Sequence, residues 1–423
     1  MYQNWERNRD ERGDPELLKV LFLIFSTTLV QSVFAQYYKT LPKGVRLGVV
    51  RNVQTTNIDS EFNRSKSETP MSYEIEASAK NLEGIDDDRV KAILEILKDN
   101  PEAYDNLTAG TYKIDANAQM NIIGYGLAYG LTDIMTIYTA LPMYDARVKM
   151  GYKRTRQNTY ADTADLYQTD PNNINGTVGN LIEQLPDVNG ATIQSIATNT
   201  FGYDEVGDWE GQGPGDLEFG LMYNFYTAYD YGLMLTMGGV APTGYVDDPD
   251  ILQDVGFGDG QWDAFVEFGG SYIFNSKFIA NSWMRYTYQF GADKTLRVPY
   301  DKEVNISDEK GTFYEKLGNK TMFDIDLSYI PSDWYNFNVA YIYEHTGQSE
   351  YESKYGAAND YLAYNSDSDS HNIRLKAELT SVNKFTKNEF AIPAQVKFFY
   401  QHMVTGTNVP KVDRFEVEFR LFF

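Results

Sequence analysis

The chain of 423 residues contains no cysteine and only three histidines. Without cysteine it can form neither a disulfide scaffold nor a thiolate zinc site, and three histidines supply little material for a histidine cluster. Basic side chains are also scarce, 37 against 60 acidic ones, and the formal net charge of -23 argues against a nucleic-acid surface. A mean hydropathy of -0.46 excludes a helical protein with several membrane spans.

Aromatic side chains are abundant instead, with 33 Tyr, 24 Phe and 5 Trp. The hydrophobic content of 42% is that of a folded chain rather than a disordered one. At roughly 150 residues per domain the length suggests two or three soluble domains, whereas a closed β-barrel could use the whole chain as one domain. Composition alone leaves both architectures open.

The first 35 residues contain the parts of a secretory signal. A lysine precedes the apolar run 20–30, and Val33 and Ala35 are small residues at the positions before a cleavage site. The run is too short to span a bilayer comfortably, and a buried helix is the alternative interpretation. We therefore expect residues 1–35 to be an N-terminal extension with a cleaved signal peptide, and residues 36–423 to form a single domain.

Alternation of apolar and polar residues is the main structural signal. Successive side chains of a strand point to opposite faces, so the segment 411–423 has one apolar face and one charged face. Such strands have roughly 10 to 13 residues, beyond the ~5 to 6 of soluble sheets and close to the ~9 to 11 that cross a membrane at a tilt. One strand would also fit a soluble sandwich, but repetition favours a membrane barrel. The same period recurs in the segments 216–226, 323–329, 335–344, 373–379 and 390–401.

Connection lengths alternate as well. Short turns are expected at 131–133, 228–230, 275–277 and 331–333, and long polar connections at 53–110, 153–214, 245–260, 291–320 and 347–370. Outer-membrane barrels have short periplasmic turns and longer external loops. The sequence therefore predicts an all-β fold, a transmembrane antiparallel β-barrel of about twelve strands, in the outer membrane of a Gram-negative-type bacterium. Within the connections, residues 86–100 and 181–185 have helical spacing.

The inward face of this predicted barrel carries many charges of both signs. Charges in that number require water or each other, so the interior is either a wet channel or a network of ion pairs that plugs a narrow barrel. The predicted lumen-lining residues are Arg147, Lys149, Glu218, Asp263, Glu267, Arg285, Asp326, Arg374, Glu416, Glu418 and Arg420. Apolar residues expected on the same face are Met135, Ile137, Leu141, Met143, Met234, Phe265, Ile279, Trp283 and Phe399.

Catalytic and metal-binding motifs are sparse. His345 and Ser349 lie near the end of one predicted strand, an arrangement related to that of outer-membrane lipid hydrolases, but they are four positions apart with a glycine between them. Carboxylates at 247–259 and at 367–369 would suit either Ca²⁺, the divalent ions that bridge lipopolysaccharide, or a solvated acidic loop. We expect no enzymatic activity and no cofactor.

Several turn-and-strand motifs resemble, in order and spacing, those of the outer-membrane proteins of the phenol-degradation MetA-pathway group, distant relatives of FadL-type channels. These motifs are Leu41–Gly44, Tyr129–Asp133 followed by Leu141–Pro142, Gly215–Leu217, Ala241–Gly244, Gly258–Asp263, Gly406–Asn408 and Phe422–Phe423. The resemblance implies a barrel that passes small hydrophobic or aromatic molecules. Gly44 is expected to start a strand soon after the cleavage site, which leaves no clear N-terminal plug of the FadL kind.

The functional expectation is a passive channel for small, hydrophobic or aromatic solutes. The alternative is a structural or adhesive surface barrel without an open pore, with lipid hydrolysis as a remote third. The expected partners are outer-membrane lipid and lipopolysaccharide, the solute, and the barrel-assembly machinery, which the resemblance implies would read the terminal Phe423.

The role of Phe423 gives a first prediction. Phe423→Asp places a charge on the apolar face at the end of the last strand, so we expect less heat-modifiable barrel in the outer-membrane fraction. A normal amount of assembled Phe423→Asp barrel would contradict the expectation.

Overall fold

The computed structural model describes residues 36–82, 88–168, 177–185, 189–300, 302 and 307–423. The expected signal peptide, residues 1–35, lies outside this part of the chain. No helix in the described ranges is both long and apolar enough to cross a membrane.

Twelve antiparallel strands close into a barrel in which each strand pairs with its neighbours in the chain and the last pairs with the first. This confirms the predicted fold and strand number. Short connections at 133–134, 228–230, 274–277 and 333–334 lie at one end, as predicted, together with the longer connection 381–393, and the connections 242–262 and 347–367 lie at the other. The strands are β1 Arg46–Thr55, β2 Thr108–Thr132, β3 Met135–Arg156, β4 Leu217–Thr227, β5 Tyr231–Ala241, β6 Asp263–Ile273, β7 Phe278–Gln289, β8 Lys320–Ser332, β9 Tyr335–Thr346, β10 Ser368–Thr380, β11 Ala394–Thr407 and β12 Arg414–Phe422.

Shorter elements occupy the connections. The short strands are Ser60–Phe62, Glu68–Pro70, Ser72–Ser78, Trp209–Pro214, Ala292–Arg297, Lys310–Lys316, Glu350–Glu352 and Val409–Pro410. The helices are α1 Ala79–Leu82, α2 Asp88–Leu97, α3 Pro101–Asn106, α4 Tyr160–Gln168, α5 Thr177–Glu183, α6 Gly190–Ser195, α7 Ala357–Ala363 and α8 Val382–Thr386, with a π-helix at Ile196–Thr200. Helices α2 and α5 confirm the helical spacing read at 86–100 and 181–185.

The chain divides into two compact units. The barrel unit comprises the chain up to Met71, Asn117–Val148 and Asp208–Phe423, and the loop unit comprises Ser72–Ala116 and Lys149–Gly207. The loop unit has its own apolar core, in which the stripe of α2 packs on residues from α4 and α5. Its buried members include Val90, Ile93, Leu94, Leu97, Tyr160, Ala164 and Ile182. The expectation of one domain over 36–423 stays a prediction.

The barrel strands have their apolar faces outside and their polar faces inside. On β10, Leu375 is 51% exposed while the neighbouring Arg374 is 6% exposed, and on β9 the same contrast holds between Phe337 at 49% and Asn336 at 4%. A water-soluble protein has the opposite arrangement. An exposed apolar band around a closed barrel is the surface that faces lipid.

Two features of β2 and β3 depart from a simple alternation of apolar and polar residues. In β2 the even-numbered face stays buried from Ala118 to Ala128, and the register with β1 runs without a shift, so apolar residues face inward there without a bulge. Pro142 lies where β3 changes its partner from β4 to the strand Trp209–Pro214. Because proline lacks an N–H, a change of partner is a place where it is tolerated.

The exposed band predicts a lipid-specific effect of charge. Leu375→Arg places a cation on the lipid-facing side of β10, at a cost of about 2–4 kcal/mol near the bilayer midplane. We expect slower and less complete folding into vesicles, measured by heat-modifiable gel mobility. Leu181→Arg, on an exposed position of α5, is the matched control. Equal folding yields of the two variants would show that this face does not contact lipid.

Candidate functional site

The inward face of the barrel is apolar along one side. Inward side chains of β1 to β6 form a buried cluster, and Phe422 of β12 belongs to it. We call this surface the apolar side of the lumen; its strand residues are Leu47, Val49, Ala128, Tyr138, Ala140, Met222, Met234, Phe265 and Phe422. Two further members of the cluster, Tyr38 and Leu41, come from the chain before β1.

These two residues belong to a segment, 36–44, that enters the barrel at the end with the short turns. We call it the lumen segment. The Tyr37 N–H donates to Ser271 Oγ at 2.6 Å, and the Leu41 N–H donates to Thr136 Oγ1 at 2.8 Å. Tyr38 and Leu41 are 5% and 0% exposed. The strand β1 does begin soon after Gly44, as expected, and even this short segment before it packs against the apolar side of the lumen.

The strands are built to accept the lumen segment. A Cβ atom at position 232 would lie 2.3 Å from the Tyr38 ring, so only glycine allows Tyr38 to pack on β5. At the rim, Asp133 binds the segment twice: its carbonyl accepts from the Thr40 hydroxyl at 2.8 Å and its carboxylate accepts from the Lys43 N–H at 3.0 Å. Hydrogen bonds to the barrel therefore fix the position of the segment, and its apolar side chains pack against the apolar side of the lumen.

The opposite side of the lumen is a network of buried ion pairs on β1, β10, β11 and β12. Arg51 pairs closely with Glu416, which also binds Arg414 Nε at 2.8 Å. Glu418 accepts from Arg420 Nε at 2.6 Å and lies 3.7 Å from Lys397 Nζ. All of these side chains are almost completely buried. Since an isolated buried charge is very costly, these pairings, two between strands and two within β12, are what let this side of the barrel fold.

A second charged group lies beside the apolar side. Arg285 of β7 binds Glu218 at 2.9 Å and Glu267 at 3.2 Å, and its guanidinium lies 3.6 Å from the centre of the Phe265 ring. The Tyr138 hydroxyl donates to Glu218 at 2.8 Å. This arrangement pairs two carboxylates with one shared cation and also places the flat guanidinium against an aromatic face.

Most of the predicted lumen residues are brought together inside the barrel. Glu218 and Glu267 are half-buried, and the other inward residues of the set are buried: Asp263, Arg285, Asp326, Arg374, Glu416, Glu418 and Arg420. Asp326 accepts from Asn281 Nδ2 at 2.7 Å and so joins β8 to β7.

Arg147 and Lys149 are corrections to the predicted set. Both side chains are exposed, and Arg147 lies 3.6 Å from Glu210 on the face opposite the buried Ala146 and Val148. The inward face of β3 is the even-numbered one, so Ile137 and Met143 are also exposed rather than inward. The outward face of the long strand β3 changes from apolar to charged beyond Met143. In the sequence, these outward charges have the same pattern as an inward polar face.

No protein-family model matches the chain, and no curated protein matches it. Its structure is similar to that of an outer-membrane channel from Pseudomonas putida F1, with a TM-score of 0.51 and 13% identity over 93% of this chain and 100% of that one. The chain shares the fold of this outer-membrane channel. A toluene transporter from Ralstonia pickettii has a TM-score of 0.35 and 10% identity over 90% of each chain, a score too low to carry an argument.

The shared fold and the lipid-facing band together place this outer-membrane barrel in a Gram-negative bacterium.

The candidate catalytic and metal-binding motifs of the sequence lie apart from the lumen network. The Ser349 hydroxyl accepts from the Gly318 N–H at 3.3 Å, and His345 stacks beside Tyr343. Among the residues that the structure describes, no group of three acidic or histidine side chains is arranged to hold a metal.

Two important parts of the lumen were missed from the sequence. Arg51 is missing from the predicted lumen residues, although it shares one face of β1 with Leu47, Val49 and Val53 and is therefore an inward cation. The lumen segment gave no periodic signal, because it has no regular secondary structure over most of its length.

The buried and exposed arginines provide a matched pair for a stability test. Arg285→Met leaves Glu218 and Glu267 without their shared cation, and removing one partner of a buried pair costs about 3–5 kcal/mol. Arg147→Met removes an exposed arginine and is expected to leave stability close to that of the wild type. Urea unfolding in vesicles measures both, and equal free energies of unfolding would contradict the buried network.

Proposed function

We propose that this outer-membrane barrel is a channel for passive passage of small, hydrophobic or aromatic solutes through its lumen. The observation that carries the proposal is the apolar side of the lumen, which is covered by the lumen segment rather than by another strand. A structural barrel needs no such removable cover. The shared fold with a protein described as an outer-membrane channel supports the same conclusion.

The energetics favour a cover that can be displaced. Full burial of two side chains the size of Tyr38 and Leu41 stabilises the seated segment by about 3–6 kcal/mol, an upper estimate because the released segment keeps some contacts. An apolar solute on the same surface replaces much of that burial. The ion pairs on the opposite side of the lumen join strands to each other, so they hold the wall in shape while the segment moves.

The apolar side and the charged side give the lumen two kinds of surface. An apolar solute can lie against Met222, Met234 and Phe265, while water and the hydroxyl groups of amphipathic solutes can face the charged side. This favours small amphipathic or aromatic molecules over ions of one sign, because the charged side contains paired cations and anions.

The partners belong to the proposal as well. The exposed apolar band contacts outer-membrane lipid and, on the external side, lipopolysaccharide. The strand order, with β12 closing on β1, makes the last strand the one that completes the barrel, which is the step that the barrel-assembly machinery would assist.

Opening of the lumen is tested by loosening the segment. Tyr38→Ser with Leu41→Ser removes its apolar contacts, and we expect the ionic current across planar bilayers to rise at least tenfold, because loss of even ~1.4 kcal/mol of that burial produces a tenfold shift towards the released state. Phenol added to the open variant should reduce that current by occupying the apolar side, whereas glycerol at the same concentration should not.

Lys43→Ser is the matched control, because the Lys43 side chain is exposed at the rim while its backbone N–H binds Asp133. It should conduct like the wild type. If the folded double variant carries no current, the channel proposal fails and the structural or adhesive alternative takes its place.

A further inference from the structure

A single aromatic side chain from a long connection fills the outer end of the lumen. Phe257 comes from the connection 242–262 and is 6% exposed. Its ring is parallel to that of Tyr144, with 5.1 Å between the ring centres and 2° between the planes. Trp209 and Tyr245 lie at 6.3 Å and 5.8 Å. Tyr144 is on the inward face of β3, so Phe257 packs inside the barrel wall.

The wall opposite Phe257 has space for one ring. Gly213 pairs with Tyr144 and Gly211 pairs with Ala146, so both glycines share the inward face. A Cβ atom at Gly211 would lie 2.3 Å from the Trp209 ring and 3.2 Å from the Phe257 ring, and one at Gly213 would make ordinary contact with the Phe257 ring at 3.5 Å. A side chain longer than that of alanine at position 213 would enter the volume that Phe257 occupies. We call the surface formed by Tyr144, Trp209, Gly211 and Gly213 the ring trough.

The connection is held in place by groups other than the Phe257 ring. The Asp216 carboxylate accepts from the Gly244 N–H at 2.8 Å, and the Tyr245 hydroxyl donates to Asp254 at 2.7 Å. Burial raises the pKa of Asp254 to about 6, and near neutral pH it remains an acceptor. The backbone N–H of Phe257 donates to the Tyr245 carbonyl at 2.7 Å. The ring can therefore be exchanged without loss of the contacts that anchor the connection.

From this geometry, and resting on the channel function proposed above, we propose that the ring trough is a binding site for monocyclic aromatic solutes. Phe257 occupies this site in the structure as an internal substitute for the solute. Its side chain is a benzyl group, the same shape as such a solute, and the parallel Tyr144 ring provides the stacking surface that distinguishes an aromatic ring from an aliphatic one. A solute arriving from the external side meets this site before the apolar side of the lumen.

The test is binding to a variant in which the site is vacant. Phe257→Ala in detergent should bind phenol saturably, detected as a change in Trp209 fluorescence, whereas the wild type should show a much weaker response. An apolar cavity of this kind can take up an aromatic ring. Cyclohexanol, the matched aliphatic probe, should bind about 3- to 10-fold more weakly, since it cannot stack on Tyr144.

Two controls assign the signal to the trough. Phe257→Ala with Trp209→Phe should lose the fluorescence change, because Trp209 is the tryptophan whose ring contacts Phe257 in the described part of the chain. Phe257→Ala with Gly213→Leu should lose phenol binding, because the leucine fills the trough. Phe257→Val leaves a smaller vacancy and replaces the alanine variant if that variant does not fold.

The outcomes separate this site from the channel function. If folded Phe257→Ala and Phe257→Val bind no phenol, or bind phenol and cyclohexanol equally, the aromatic site is refuted even where the barrel conducts. If phenol binds with the expected preference while the variant with a loosened lumen segment carries no current, the site stands and the channel proposal fails.

Discussion

Closure of the backbone hydrogen bonds is the constraint on which the rest of the structure depends. In lipid no water can satisfy an open sheet edge, so every strand must be paired on both sides. Here the last pair is β12 with β1, and it extends to the chain end, where Arg46 and Phe423 exchange two backbone bonds at 2.8 and 2.9 Å. Once the sheet is closed, the two faces of each strand have fixed environments, lipid outside and a narrow lumen inside.

The narrow lumen then determines which side chains it can contain. The interior cannot leave the charges of the inward faces isolated, so they pair across strands, as Arg51 does with Glu416 and Arg285 does with Glu218 and Glu267. The charged side contributes to the wall, because Arg51–Glu416 and Lys397–Glu418 join neighbouring strands, while Arg414 and Arg420 pair with the same carboxylates within β12. The apolar side has no such pairs, and the chain covers it instead with the lumen segment and, at the outer end, with Phe257.

The sequence predicts the barrel strands far better than the residues from outside the strands that fill the lumen. A period of two over long segments, with alternating long and short connections, is enough for the fold, the strand number and the buried position of residues such as Glu416 and Arg420. It is not enough where a strand extends beyond the band that contacts lipid, since the outward face of β3 becomes charged at Arg147 and resembles an inward face. The lumen segment and the connection that carries Phe257 show no alternation of apolar and polar residues. Their positions depend on contacts between residues far apart in the chain, such as Tyr37 with Ser271 and Phe257 with Tyr144.

A glycine in a strand is the sequence feature that can mark such a contact. A glycine in a membrane strand weakens the strand, and its presence needs a reason. Gly232 makes room for Tyr38 of the lumen segment, because a Cβ atom there would lie 2.3 Å from the Tyr38 ring. At this position the wall has given up a side chain so that an aromatic residue from outside the strands can occupy the lumen. A wall evolved only for stability would fill the position with its own side chain. The gap supports the proposed exchange of the lumen segment for a solute.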